Sequence, residues 1–323
     1  MSPIRTRTGV TVASLAIPYT SARFPPSFAV RSGTLSFSWS DLLWAAITIG
    51  RPNTAYVFQH GDASIHEALF RLSLVRMALE QIPFSNRLHR TDAFRALDPT
   101  EKGAVSYFLG MAVCKLFASR LLSTPWLLHL DVFRGQLNPA TLGGRSRPDL
   151  VGQDASGSWH AFETKGRSSV PSSEDKQKAK EQAQRLVSVD GSACSLHIGS
   201  FAFFRGDEME FYWRDPEPEE PEKLEPIEIS VRDEDWANYY ASALALASEP
   251  RRDLLSSEAQ GIDLKVEIHS KVRDLLLQGQ WAAARSLATE MRQMLEAEGF
   301  KPDGIRVVAG DSWTGRLERA KKE

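Results

Sequence analysis

The stretch 96–213 predicts an α/β fold whose elements run helix, strand, strand, strand, helix, strand, and three observations carry that prediction. A helix with a full set of start signals opens at Asp98-Pro99-Thr100-Glu101. Two strand-like runs, one ending Arg147-Pro148-Asp149-Leu150 and one containing Glu163-Thr164-Lys165, flank a turn-forming segment. A second capped helix, starting at Ser172-Ser173-Glu174-Asp175, leads into the apolar run 195–205.

Each element follows from local chemistry. Asp98 is an N-cap, Pro99 fits the first helical position, Glu101 completes a capping box, and residues 104–122 repeat apolar side chains at helical spacing. Residues 125–134 (PWLLHLDVFR) read as the first strand. The hairpin supplies the second and third, turning through Asp154-Ala155-Ser156-Gly157-Ser158. The charged helix runs to about Val187, with Ala179, Ala183 and Leu186 facing inward. Residues 195–205 (SLHIGSFAFFR) form the next strand, and Gly206-Asp207 turns the chain into a further strand at 209–213.

The pleat fixes what the hairpin brings together. With the turn centred on Ser156, cross-strand partners have numbers that sum to 312, which sets Asp149 opposite Glu163. A bulge at Gly157 would slip this by one. Alternation puts Glu163 and Lys165 on one face, with Phe162 and Thr164 on the other. Like charges opposed across a sheet are destabilising, so the pair calls for a cation. A hard divalent ion such as Mg²⁺ takes oxygen ligands, and Lys165 adds positive charge beside it.

These residues resemble the signature of the PD-(D/E)XK nuclease superfamily: Pro148-Asp149, then Glu163-Thr164-Lys165. The resemblance implies a restriction endonuclease-like α-β-β-β-α-β core with a mixed sheet. It implies that Asp149, Glu163 and the carbonyl of Thr164 hold Mg²⁺, with Mn²⁺ as a substitute. It assigns Lys165, with Asp149 and Glu163, to catalysis, the lysine orienting the attacking water and stabilising the developing phosphorane charge. Many members carry an acid or histidine on the first helix, where this chain offers Tyr107. Glu101 is an accessory candidate there, although capping is its simpler role. Gln182 matches a glutamine that some exonuclease-like members place beside the lysine, although a glutamine in a charged helix is commonly just solvated.

The chain supplies its own controls. Pro302-Asp303, Glu174-Asp175-Lys176 and Asp263-Leu264-Lys265 fit parts of the pattern, but each reads as part of a helical or unrelated context, with no aspartate-bearing strand folded onto it. Around the motif, Arg145, Arg147, Arg167 and Lys176 form a candidate phosphate-binding rim, for which solvated surface charge is the plain alternative. His160 falls on the face opposite Glu163 and reads as a packed histidine.

Composition bounds the rest. With 42% hydrophobic and 25% charged residues the chain is ordinary for a globular protein, and no run of 18 uninterrupted apolar residues predicts a membrane span. Cys114 and Cys194 sit in apolar surroundings and read as free thiols of a reducing, cytoplasmic compartment. Net charge is +5 over 1–95, 0 over 96–213 and −7 over 214–323. All ten basic residues of the first region are arginines, which suit phosphate contacts. Four segments result: a mixed α/β N-terminal region at 1–95, the core at 96–213, an acidic Pro/Glu linker at 214–226, and a mainly helical C-terminal domain at 227–323. In that last domain residues 233–248, 263–277 and 280–297 read as helices and 304–310 as a strand. Two function classes are compatible with these residues. One is a metal-dependent nuclease, on DNA rather than RNA, of the kind used in bacterial restriction, phage defence or repair. The other is a catalytically silent subunit that binds nucleic acid or protein; a homodimer, or a protein partner on the C-terminal helices, fits either.

Overall fold

The N-terminal region, the least readable stretch of the sequence, supplies four strands to the main sheet. In this computed structural model the described residues are 14–28, 30–49, 62–82, 85–137, 147–215, 226–247 and 263–313, without the side chains of 62–65. Arg145 and most of the Pro/Glu linker lie outside them. Strand β1 (Ser14–Ala22) pairs antiparallel with β2 (Gly33–Ser38). Helix α1 (Trp39–Thr48) then starts on a capping box between Ser38 and Asp41. Helix α2 (Asp62–Ala78) ends where the Thr91 amide takes the Ala78 carbonyl and β3 (Leu79–Gln81) pairs with β4 (Leu88–Arg90).

After the short helix α3 (Asp92–Ala96), α4 (Pro99–Leu121) begins where the sequence puts it, on the Asp98–Glu101 capping box with Pro99 in the first turn. Strand β5 (Trp126–His129) is shorter than expected. The Leu130 amide still donates to the Asp149 carbonyl, but the Asp131 amide donates to His129 Nδ1, and 130–136 winds into a 3₁₀ turn. Strands β6 (Leu150–Gln153) and β7 (Trp159–Arg167) form the hairpin. Helix α5 (Ser173–Ala183) ends before the expected Val187. There β8 (Leu186–Val189) turns into β9 (Ser192–Arg205) through Asp190-Gly191, both at positive φ. Strand β10 (Glu208–Arg214) follows by a second hairpin.

The main sheet runs β2-β1-β10-β9-β7-β6-β5, with β4 beside β10 and β8 beside β9. It is mixed and open: β7 is parallel to β9 and β1 to β10, while the hairpins are antiparallel. Helix α4 packs on one face of β7 and α5 on the other side of β9, where Ala179 meets Phe201 and Phe203.

The C-terminal part is not a separate helical unit. Strand β11 (Ile227–Ile229) extends the sheet beside β8, and α6 (Ala237–Ala247) contacts α1, α2 and β5. Residues 263–277, expected as one helix, divide into β12 (Leu264–Ile268) and α7 (Ser270–Leu277). Leu264-Lys265-Val266-Glu267-Ile268 alternates with period two, and it pairs with the final strand rather than continuing the helix. Helices α8 (Trp281–Glu290) and α9 (Arg292–Ala297) break at Met291, and β13 (Ile305–Ala309) closes the small sheet with β12. One continuous apolar core joins residues from all three described regions.

A buried polar cluster ties these regions together. Lys115 on α4 and Asp303 are both fully buried. The Lys115 ammonium donates to the Thr48 carbonyl at 3.1 Å and to Tyr239 Oη at 2.7 Å, over the Trp44 ring. Asp303 accepts from Trp44 Nε1 at 2.8 Å, Tyr239 Oη at 2.6 Å and the Ile305 amide at 3.0 Å. The Pro302-Asp303 pair, a chance match to the motif, is thus a structural anchor.

Helix α4 is also long and apolar enough, by length and composition, to cross a membrane; most of it is buried inside the protein. The sequence expectation of no span rested on uninterrupted apolar runs, a stricter measure. Cys114 and Cys194 are buried free thiols, each pushed up to about 12 by burial.

Candidate functional site

The hairpin holds the expected register. Leu150 pairs with Phe162, Val151 with Ala161, Gly152 with His160 and Gln153 with Trp159. The Asp149 amide donates to the Phe162 carbonyl at 3.0 Å, so Asp149 sits at the mouth of the ladder opposite Glu163. The turn is tight because Asp154 Oδ1 accepts from the amides of Ser156 at 2.8 Å and Ser158 at 2.9 Å. Gly157 takes φ +90°, which a side chain would resist, and the register does not slip.

Asp149 is fixed from β7. Its Oδ2 accepts from the Thr164 amide at 2.9 Å and from Thr164 Oγ1 at 3.3 Å. Glu163 is almost wholly buried, with Lys165 Nζ ion-paired to Oε1. Its Oε2 is buried with no hydrogen-bond partner. The charge of Asp149 acts on the Glu163 carboxyl. Burial first, and then the Asp149 charge, hold the Glu163 carboxyl well above its ordinary pKa, and Lys165 offsets this only in part. An orphaned buried carboxylate oxygen beside a second carboxylate fits a small hard cation, which would relieve both burial and repulsion. Among the described residues no group of three or more His, Cys, Asp and Glu side chains gathers here, so side-chain ligation rests on the two carboxylates.

Helix α4 closes the site from the face of Thr164 and Gly166. A Cβ on Gly166 would fall 1.5 Å from the Ser106 carbonyl oxygen, and one on Gly110 would fall 2.7 Å from the Gly166 nitrogen. The helix backbone therefore lies directly on β7, one residue past Lys165. Tyr107 follows Ser106 on α4, and the charges of Asp149, Glu163 and Asp131 act on its phenol. Its Oη lies 3.1 Å from His129 Nε2, and His129 Nδ1 accepts from the Asp131 amide at 3.2 Å. Because Nδ1 is the acceptor, the ring proton sits on Nε2 and Tyr107 Oη receives it. Burial lowers the His129 pKa, so the ring stays neutral, and burial with the charges of Asp149 and Glu163 raises that of the Tyr107 phenol.

The remaining candidates are distributed otherwise. Arg147 stands near the site, ion-paired with Asp131. Arg167 faces Asp175 at 3.4 Å, and the Lys176 ammonium rests 4.2 Å over the Tyr212 ring. Arg147, Arg167 and Lys176 thus each have a partner within the protein. Glu101 caps α4 and is exposed, its carboxylate accepting the Asp98 amide at 3.3 Å. Gln182 lies half-buried on the last turn of α5. Arg145 lies outside the described residues. His160 is fully buried, bonded to Asp154 and edge-on to Phe28, as its parity implied.

His129 and Asp131 were missed in the sequence, where they read as interior positions of a strand. The signal available was a polar His-x-Asp interrupting an apolar run just ahead of the hairpin. No family model, no curated protein and no solved structure matches this chain.

Proposed function

We propose that the protein is a metal-dependent nuclease that hydrolyses phosphodiester bonds, with DNA the expected substrate. The observation that carries this is the buried Glu163, its Oε2 unpartnered, set against Asp149 and ion-paired to Lys165. Structural ion pairs rarely leave a buried carboxylate oxygen unsatisfied beside a second carboxylate. The element order α4, β5, β6, β7, α5, followed by the hairpin β8–β9, and the strand order β5-β6-β7-β9, with β9 parallel to β7, support a restriction endonuclease-like core.

In this reading Asp149 and Glu163 hold Mg²⁺ or Mn²⁺, with the Thr164 carbonyl as the third protein ligand. The ion supplies Lewis-acid stabilisation of the phosphoryl group and makes water more acidic. Thr164, through its amide and hydroxyl, fixes the Asp149 carboxylate in the direction the site needs. Lys165, one strand position pair along from Glu163, orients the attacking water and stabilises negative charge as the new O–P bond forms and the bond to the leaving oxygen breaks.

A second reading is a nuclease-like subunit without cleavage. It is favoured by the presence of only two carboxylates and by the pairing of Arg147 and Arg167 with acids. One experiment separates the two: the purified protein is incubated with supercoiled, linear and single-stranded DNA and with RNA, in Mg²⁺, Mn²⁺ or EDTA, beside Asp149→Ala and Lys165→Ala. Metal-dependent cutting lost in both variants is the expected result. Binding without cutting under every metal favours the silent subunit.

A further inference from the structure

We propose that Tyr107 is a catalytic residue of this site, its hydroxyl donating a hydrogen bond to a non-bridging oxygen of the phosphate ester under attack, and that His129 is the residue that positions it. The proposal rests on the nuclease reading above and names a group that the two carboxylates and the lysine do not account for.

The argument begins with the proton. His129 Nδ1 is occupied by the Asp131 amide, so Nε2–H is the donor in its 3.1 Å contact with Tyr107 Oη. The phenol oxygen is therefore an acceptor in that bond, and its own proton is left to point elsewhere. Burial raises the phenol pKa first, the charges of Asp149, Glu163 and Asp131 raise it further, and Arg147 opposes them. Tyr107 thus remains a protonated donor throughout the neutral range.

Position gives the second part. The α4 backbone touches β7 at Gly166 with no side chain between them, so Tyr107 cannot drift relative to Lys165. The His129 end of β5 is tied to the hairpin through the bond from the Leu130 amide to the Asp149 carbonyl, at 2.8 Å. Both anchors of the hydroxyl are therefore attached to the strands that carry the carboxylates. The ring is 42% exposed while the surrounding α4 residues Val105, Ser106 and Phe108 are buried, so Tyr107 is open to an incoming substrate. A fixed donor aimed at developing phosphoryl charge stabilises the transition state more than the ground state.

The test compares wild type, Tyr107→Phe, His129→Ala and His129→Gln in single-turnover cleavage, with Mn²⁺ binding followed by calorimetry. Tyr107→Phe deletes only the hydroxyl, and kcat is expected to fall about 100-fold. Its KM and Mn²⁺ affinity should stay within about twofold of wild type. His129→Ala should lower kcat in the same way, and His129→Gln, whose amide N–H can replace Nε2–H, should restore part of it. Cleavage by Tyr107→Phe at the wild-type rate overturns the proposal and leaves the nuclease reading standing. So does a loss that appears only as weaker metal binding. A wild-type protein that cuts nothing with any metal removes both.

Discussion

Replacing Asp303 with asparagine should expose how much of the fold depends on one buried charge pair. The substitution keeps size and most hydrogen-bonding capacity, yet it leaves the Lys115 ammonium in a fully buried pocket with only neutral partners, Thr48, Tyr239 and the Trp44 ring. Breaking a buried pair from one side costs about 3–5 kcal/mol, because the surviving charge is uncompensated. With an unfolding entropy of about 2.1 cal/mol/K per residue, that lowers Tm by roughly 4–7 °C for a chain of 323 residues. Burial lowers the folded-state pKa of Lys115, and the Asp303 charge opposes that shift. In Asp303→Asn the opposition is gone. The unfolded chain then binds a proton that the folded chain resists, so the deficit should shrink as pH rises toward the ordinary lysine pKa. Chemical denaturation of wild type, Asp303→Asn, Lys115→Met and the double variant at pH 6 and pH 9 reads all of this. The double variant should be more stable than Asp303→Asn alone by at least about 1 kcal/mol. An unchanged midpoint in Asp303→Asn, or a deficit identical at both pH values, would refute the reasoning.

Two further outcomes follow from the site itself. Glu163 has a folded-state pKa above its ordinary value, so the folded protein holds a proton that the unfolded chain releases, and stability falls as pH rises through that window. Glu163→Gln should therefore stabilise the metal-free protein by about 1–3 kcal/mol near pH 8. The gain should vanish below about pH 4, and denaturation midpoints that show it at every pH would contradict the assignment. On β7, Gly166→Ala drives a methyl into the Ser106 carbonyl of α4 and should cost about 1–3 kcal/mol while reducing cleavage. Gly103→Ala, on α4 with nothing within 4 Å of the new methyl, should instead gain about 0.5–1 kcal/mol. Equal stability of the two variants would remove the backbone contact from the account.

What could be read in advance was local chemistry with a fixed period. The Asp98 and Ser172 capping boxes and the pairing of Leu150 with Phe162 all follow from residues close in sequence. What escaped was decided by contacts distant in sequence. Helix α2 stops at Ala78 because Thr91, thirteen residues on, takes its carbonyl. Lys115 sits in an apolar helix and Asp303 near the far end of the chain, and neither reveals the other until Trp44 and Tyr239 enclose both. Strand β8 left a legible trace: Asp190-Gly191 is the dipeptide of a two-residue hairpin, and it explains why the apolar run reaches back to Ser192. The rim cations were visible as residues, but their partners Asp131 and Asp175 were not visible as partners.

The bare backbone contact between α4 and β7 has a bearing on how such a site can be recognised elsewhere. With no side chains interposed at Gly110 and Gly166, there is nothing at that seam to trim or enlarge, so substitutions cannot adjust the spacing gradually. Any chain built on the same plan must hold a minimal residue at both places simultaneously. A paired pattern results, Ser-Tyr-x-x-Gly on the helix and Glu-Thr-Lys-Gly on the strand, whose joint occurrence discriminates far better than the three-residue strand motif alone.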